Sequence, residues 1–251
     1  MKVTDLKWSA ISIISFFLLW EMIARSHFFP SILFPPPCEV LATGFDLLRS
    51  GILLKSVGNS FLRVIAGILL GLALAIPVGL LMGWVETVDK LFGPITSLLF
   101  PIPGIAWLPL LIVWVGLRPS LPILLIAIVV FFPVLLNISS GVKSVDRENI
   151  LAARTLGSSE LRILVSVVVP LSLPFILTGV RIEVALAWRV LVAAEMIAIP
   201  TGIGALMSRS ESLLQIKAVM VCLGLLSIIG LIMDWSLRYV EKRLTAHWRA
   251  F

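Results

Sequence analysis

Apolar residues along this chain fall into long runs, and short polar segments separate one run from the next. Each run is close to the roughly 20 residues that an α-helix needs to cross the hydrocarbon core of a bilayer. The pattern therefore predicts six membrane-spanning helices, at about residues 8–25, 61–84, 91–117, 121–142, 171–199 and 219–237. We expect residues 1–251 to form a single all-α integral membrane domain.

Two segments need a closer interpretation. The first run could be a signal peptide, but Trp20 and Glu21 stand where a cleavable segment favours small residues, which indicates an uncleaved span. Residues 40–54 alternate apolar and polar positions with a helical period and predict a short helix at the membrane interface.

In the second span, small residues four positions apart predict close approach of another helix; they are Gly67, Gly71, Gly79 and Gly83.

The third span is rich in helix-breaking residues, namely Pro94, Pro101, Pro103, Gly104 and Pro109. Each proline removes a backbone donor and clashes with the preceding turn, so a regular helix is not expected throughout. Irregular backbone at membrane depth occurs where protein or a water-filled cavity covers it. The pattern fits a helix that lines a path, and it also fits an ordinary kinked packing helix.

Composition and charge support the membrane interpretation. The chain is 59% hydrophobic and only 14% charged, with a net charge of +6. The basic residues lie between the apolar runs and form no patch or arm, so nucleic-acid binding is not expected. With six spans, eleven of the twenty Lys and Arg residues fall on the side of the termini and six on the other. The bias predicts cytoplasmic termini for a multi-pass protein of the bacterial inner membrane.

Residues suited to catalysis or metal binding are few. The histidines, His27 and His247, lie outside the predicted spans, and Cys38 and Cys222 are far apart in sequence. No phosphate-binding Gly-x-x-x-x-Gly-Lys-Ser/Thr motif occurs in the chain. We therefore expect no catalytic residue, metal site or cofactor in this chain, and we expect any ATP and Mg to be bound by a partner.

The polar segment at 143–170 predicts a short amphipathic helix between the fourth and fifth spans. Asp146 can cap its start, and Gly157 stands where a helix end favours a left-handed residue. Ile150, Ala153 and Leu156 fall on one face, which the small alanines leave shallow. Such a helix can dock into a groove of another protein or lie on the membrane surface.

The spacing in this segment resembles the EAA loop of binding-protein-dependent ABC importer permeases. Ala152 and Ala153, three residues, Gly157, nine residues and then Val167-x-Val169-Pro170 match every fixed position of that pattern. Leu151 replaces the glutamate of the motif, and Glu148 lies one turn earlier. The resemblance implies a cytoplasmic coupling helix and an ATPase-docking site formed by Glu148, Leu151, Ala152, Ala153, Gly157 and Pro170.

The resemblance extends to the nitrate, sulfonate and taurine branch of these permeases. It rests on residues 100–110 in the third span and on 179–182 and 188–196 in the fifth. It implies that two copies of the chain form the path for a small anionic solute in a lipid membrane. The implied partners are two ABC ATPase subunits and an extracytoplasmic substrate-binding protein. The alternatives are an ion-driven secondary transporter, for which the expected inverted repeat is missing, and an intramembrane enzyme.

Charged residues inside spans predict functional sites because a bilayer penalises them. Arg181, Trp188 and Glu195 are seven residues apart and share a helix face, whereas Arg189 is turned away by about a quarter of a circle. Arg189 can line a path for oxyanions or form an ion pair with a neighbouring helix. The predicted path residues are Pro101, Pro103, Trp107, Arg181, Trp188, Arg189 and Glu195.

Overall fold

A computed structural model describes residues 3–26, 28 and 30–245, and all regular elements in that part of the chain are helical. The α-helices are α1 (Val3–Arg25), α2 (Pro37–Arg49), α3 (Ile52–Trp84), α4 (Glu86–Leu99), α5 (Leu108–Val115), α6 (Ser120–Lys143), α7 (Arg147–Thr155), α8 (Glu160–Ile163), α9 (Val169–Ala198), α10 (Ile203–Ser212) and α11 (Ile216–Thr245). A 3-10 turn, Gly104–Trp107, precedes α5, and a π-helical turn, Leu164–Val168, precedes α9. The all-α prediction is confirmed; His27 and His247 lie outside the described residues.

Four stretches within the described residues are long and apolar enough to cross a membrane: Ile52–Trp84, Ser120–Lys143, Glu160–Ala198 and Ile216–Glu241. The pair formed by α4 and the segment Gly104–Val115 is a possible fifth, with a bend of 92° between its halves. Helix α1 includes the first predicted span (8–25) and begins five residues before it, but it is not among these stretches. The count of six spans therefore stays a prediction.

The interfacial helix predicted at 40–54 is shorter than expected. It is α2, which ends at Arg49, and α3 begins two residues after Ser50. Gly51 causes the break because its φ of +74° lies in the left-handed region, which cannot continue a right-handed helix. Residues 52–54 thus belong to α3, which begins nine residues before the second predicted span (61–84).

Helices α3 and α6 approach closely along the four glycines that the sequence singled out. A Cβ atom at Gly67 would lie 2.6 Å from the Cβ of Ile126, and one at Gly83 would lie 2.5 Å from the Cβ of Val142. Gly71 and Gly79 face the same helix, so the contact runs along the C-terminal half of α3. The small-residue spacing therefore allows the backbones to approach as predicted, and this contact forms the centre of the fold.

Apolar side chains of α3, α6 and α9 fill the centre of the protein, with Val64, Ile126, Val134 and Leu191 among the fully buried ones. A second cluster joins α5 and α6 to the end of α9. The proline-rich third span packs against this second cluster through α5. Its break into α4, a 3-10 turn and α5 confirms the predicted irregular backbone.

Candidate coupling helix and transport path

Helix α7 is a short helix with a firm end, located between the long helices α6 and α9. Its last turn closes with two backbone hydrogen bonds, from Gly157 N to Arg154 O (2.9 Å) and from Ser158 N to Ala153 O (3.1 Å). This is the Schellman arrangement, and Gly157 supplies the left-handed residue with a φ of +81°. The predicted stop is confirmed. The predicted side-chain cap is wrong, because Asp146 stands at the N-cap without a side-chain hydrogen bond to the helix.

The two faces of α7 differ in exposure. Ile150 and Ala153 are half-buried and pack against the protein's own core. Leu156 is 85% exposed and Leu151 is 49% exposed. The docking set is therefore divided: Glu148, Leu151, Ala152 and Gly157 lie outside, whereas Ala153 faces inward.

An ion pair ties α7 to the segment that follows it. Arg154 donates from Nε to Glu160 Oε1 (2.8 Å) and from Nη2 to Glu160 Oε2 (3.0 Å), and this carboxylate raises the pKa of Arg154. The chain then passes through the π-helical turn, and the half-buried Pro170 starts α9. Pro170 thus belongs to the base of α9, away from the outer face of α7.

The predicted path residues fall in four separate surroundings rather than one. Pro101 and Pro103 are exposed at the break of the third span, and Trp107 lines a cavity of about 220 Å³ beside it. Arg181 and Trp188 contact α11: Arg181 Nη1 lies 2.7 Å from Glu241 Oε2, and Trp188 Nε1 donates to Met233 Sδ. Arg181 is therefore neutralised by a carboxylate on α11.

Arg189 lies in a groove between α9 and α11. The groove has a volume of about 660 Å³, and Ser227 and Gly230 of α11 line its far wall. Arg189 is exposed, and none of the described residues forms an ion pair with it. The alternative of an ion pair with a neighbouring helix of this chain is thus not present within the described residues.

Glu195 is fully buried in a polar network that joins α9 to α3. Arg63 Nη1 lies 2.6 Å from Glu195 Oε1, Ser60 Oγ donates to Oε2 (2.8 Å), and Gly204 N donates to Oε2 (3.0 Å). Arg63 also donates to the carbonyl oxygen of Thr201 (2.7 Å). Glu195 therefore joins α9 to α3 and α10 through its hydrogen bonds, and its role in a path stays a prediction.

Sequence reasoning missed Ser60 and Arg63 as partners of Glu195, and Thr201 as a partner of Arg63. Arg63 and Glu195 are 132 residues apart, so no local spacing relates them. The available signal was that opposite charges inside two predicted spans are costly unless they pair. That signal could have suggested an ion pair, but it could not have identified the hydroxyl and backbone groups that complete the network.

Comparison with known proteins places this geometry in a family. Residues 67–246 match the family described as "Binding-protein-dependent transport system inner membrane component". A relative in Methanocaldococcus jannaschii, named as an ABC transporter permease protein, is 42% identical over 90% of this chain and 86% of its own length. The taurine transport system permease protein TauC of Escherichia coli strain K12 is 34% identical over 90% of this chain and 84% of its own length.

A solved structure supports the same fold. An inward-facing conformation of the MetNI methionine ABC transporter contains a chain that aligns with a TM-score of 0.69 at 16% identity, covering 77% of this chain and 96% of that one. At this identity the likeness concerns the fold alone. The sequence relatives and the family match carry the assignment, and they give no support to a secondary transporter or an intramembrane enzyme. The chain belongs to the family of inner membrane components of binding-protein-dependent transport systems, and it is an ABC importer permease whose ATPase is a separate subunit.

Proposed function

We propose that two copies of this chain form a path across the bacterial inner membrane for a small anion, with an ATPase docked on α7 of each copy. The observation that carries the proposal is the short helix α7, which ends at Gly157 and exposes its outer face between α6 and α9. A substrate-binding protein would deliver the solute on the opposite side, and lipid would surround the outer helices.

The shape of α7 suits a helix-in-groove contact. Leu151 and Leu156 are apolar side chains that face away from the core, and the small Ala152 lies between them on the exposed surface. Burying exposed leucines in a partner's groove is favourable by roughly 1.5–3 kcal/mol each if burial is complete. Ile150 and Ala153 on the inward side pack against the core and so join α7 to the rest of the chain.

The test replaces the glycine that ends α7. Gly157→Val places a β-branched residue at a φ of +81°, where L-residues are strained by about 1–2 kcal/mol, so the end of α7 should rearrange. Gly51→Val is the matched control, because Gly51 has a φ of +74°, has open space around it like Gly157, and lies away from α7.

We expect Gly157→Val to reduce the amount of ATPase that co-purifies with the permease, and to reduce solute uptake, while the permease stays in the membrane. Gly51→Val should carry similar strain but retain the ATPase. Equal ATPase recovery for the two variants would contradict docking on α7.

The proposed solute class is a small oxyanion such as a sulfonate, taurine or nitrate. Arg189 supports it, since an exposed guanidinium in a groove of about 660 Å³ offers paired donors to planar or tetrahedral oxyanions. The 34% identity to the taurine permease TauC also supports a small oxyanion as the solute. The groove lies between α9 and α11, where a second copy could cover it.

The test compares two substitutions at Arg189. Arg189→Lys keeps the charge but loses the planar donor fork, so uptake per purified complex should fall or change its preference among anions. Arg189→Leu should abolish the preference for anions while the complex still assembles. Normal uptake per complex for both variants would exclude a role of Arg189 in the path.

A further inference from the structure

A second buried carboxyl group, Glu183, differs sharply from Glu195 on the same helix. Glu183 is 5% exposed, and its Oε2 atom has no hydrogen-bond partner among the described residues. Glu195, by contrast, accepts hydrogen bonds from Ser60, Arg63 and Gly204. An unsatisfied carboxyl group in an apolar interior is costly, and a residue retained in that state inside a span indicates a function.

Glu183 lines the cavity of about 220 Å³ at the break of the third span. Phe100 and Trp107 contribute from the broken segment, Phe132 and Pro133 contribute from α6, and Leu186 stands beside Glu183 on α9. None of the described residues that line the cavity is basic. The cavity that Glu183 lines therefore has three aromatic residues in its wall and no built-in counter-ion among the described residues.

This combination matches the chemistry of an organic ammonium ion. A carboxylate accepts the N–H groups of a protonated amine, and aromatic faces attract the cation and its adjacent carbons. The volume also suffices, because an engineered apolar cavity of about 150 Å³ holds a benzene molecule. An inorganic cation would gain little from aromatic walls and would find only one carboxyl group as a charged ligand.

We propose that this cavity binds a small protonated primary amine, with Glu183 accepting from the ammonium group and with Phe100, Trp107 and Phe132 surrounding its carbons. The amine can be the cationic end of the transported solute or a separate small ligand. Glu183 lies six residues before Arg189, which turns the two side chains about 120° apart on α9, so the amine site and the Arg189 groove are distinct.

The test measures binding of ethylammonium to the purified full-length permease in nanodiscs of zwitterionic lipid, with ethanol as a neutral molecule of the same size. Wild type should bind ethylammonium at least tenfold more tightly than ethanol. Glu183→Gln keeps the size of the side chain but removes its charge, and it should reduce that affinity about tenfold or more. Glu211→Gln is the control, because Glu211 is exposed on α10 and far from the cavity lining.

Several outcomes would overturn the site. They are equal affinity of wild type for ethylammonium and ethanol, unchanged ethylammonium affinity in folded Glu183→Gln, or an equal loss in Glu211→Gln. If Glu183→Gln does not fold, the comparison of ethylammonium with ethanol in wild type decides. Trp107→Leu gives a second measurement, since it keeps the carboxylate but removes an aromatic wall, and unchanged affinity there would contradict the aromatic contribution.

Transport then distinguishes the two sources of the amine. In proteoliposomes with the complete transporter, uptake of 2-aminoethanesulfonate is compared with that of ethanesulfonate, which lacks only the amine. If ethylammonium inhibits uptake of the first alone, the site receives the solute's own ammonium group. If it inhibits both or neither, the site receives a separate amine. If neither sulfonate is taken up, the proposed solute class is wrong, while the binding measurement still stands.

Discussion

The buried ion pair between Arg63 and Glu195 permits a quantitative prediction about stability. Glu195 is fully buried, and only 9% of the Arg63 side chain is exposed. Arg63→Met removes the guanidinium while it keeps much of the apolar stem. The carboxylate of Glu195 then loses its 2.6 Å partner and retains only the bonds from Ser60 and Gly204.

The expected magnitude follows from leaving one charge without its partner in an apolar interior. Breaking a buried pair on one side costs about 3–5 kcal/mol, so Arg63→Met should lower the free energy of unfolding by that amount. Glu195→Gln should cost a similar amount, because it leaves the guanidinium without a carboxylate. The double variant leaves no unpaired charge and should cost clearly less than the sum of the two single changes.

The assay is equilibrium unfolding of the purified chain by titration with a denaturing detergent, followed by tryptophan fluorescence. Lys90→Met is the matched control, since Lys90 pairs with Glu86 in an exposed i,i+4 arrangement and should stay close to wild type. Strictly additive losses in the double variant would refute the reasoning, and so would a loss for Arg63→Met no larger than that for Lys90→Met.

The remaining predictions concern packing, topology and the α9–α11 contact. Gly67→Ala should lower stability by about 1–3 kcal/mol because its Cβ would meet Ile126, whereas Gly58→Ala on the same helix meets no atom within 4 Å and should be neutral or stabilising. Differential scanning fluorimetry checks both, and equal shifts would contradict the close contact. Reporter fusions at residue 251 and within 201–212 should report opposite sides of the membrane, with the terminus cytoplasmic; the same side for both would refute the six-span topology. Arg181→Gln should reduce stability less than Arg63→Met does, because the side chains of the Arg181–Glu241 pair are 27% and 19% exposed and those of the Arg63–Glu195 pair only 9% and 0%.

Local sequence signals predicted the parts of this protein that depend on local chemistry. The stop at Gly157 follows from a conformation that glycine adopts most readily, and the break in the third span follows from its prolines. The four glycines of α3 also predicted a close helix contact, although nothing in their spacing identified α6 as the partner.

Long-range pairing explains the features that sequence could not predict. The heptad spacing placed Arg181, Trp188 and Glu195 on one face, yet that face meets α11 at one end and α3 at the other. Helix periodicity specifies a direction but not which neighbour lies there. The same limit applies to α7, because helical spacing placed Ile150 and Ala153 on one face but did not show that this face packs against the protein's own core.

The glycine contact between α3 and α6 also limits how the transporter can change shape. Gly67 and Gly83 are 16 residues apart, which corresponds to about 24 Å along the helix axis, and side chains of α6 lie against α3 at both ends. Sliding one helix past the other by a turn would drive Cβ-bearing residues into backbone that only glycine leaves open. The two helices should therefore move as one rigid unit during the transport cycle, and the backbone should bend in the segments on either side of them.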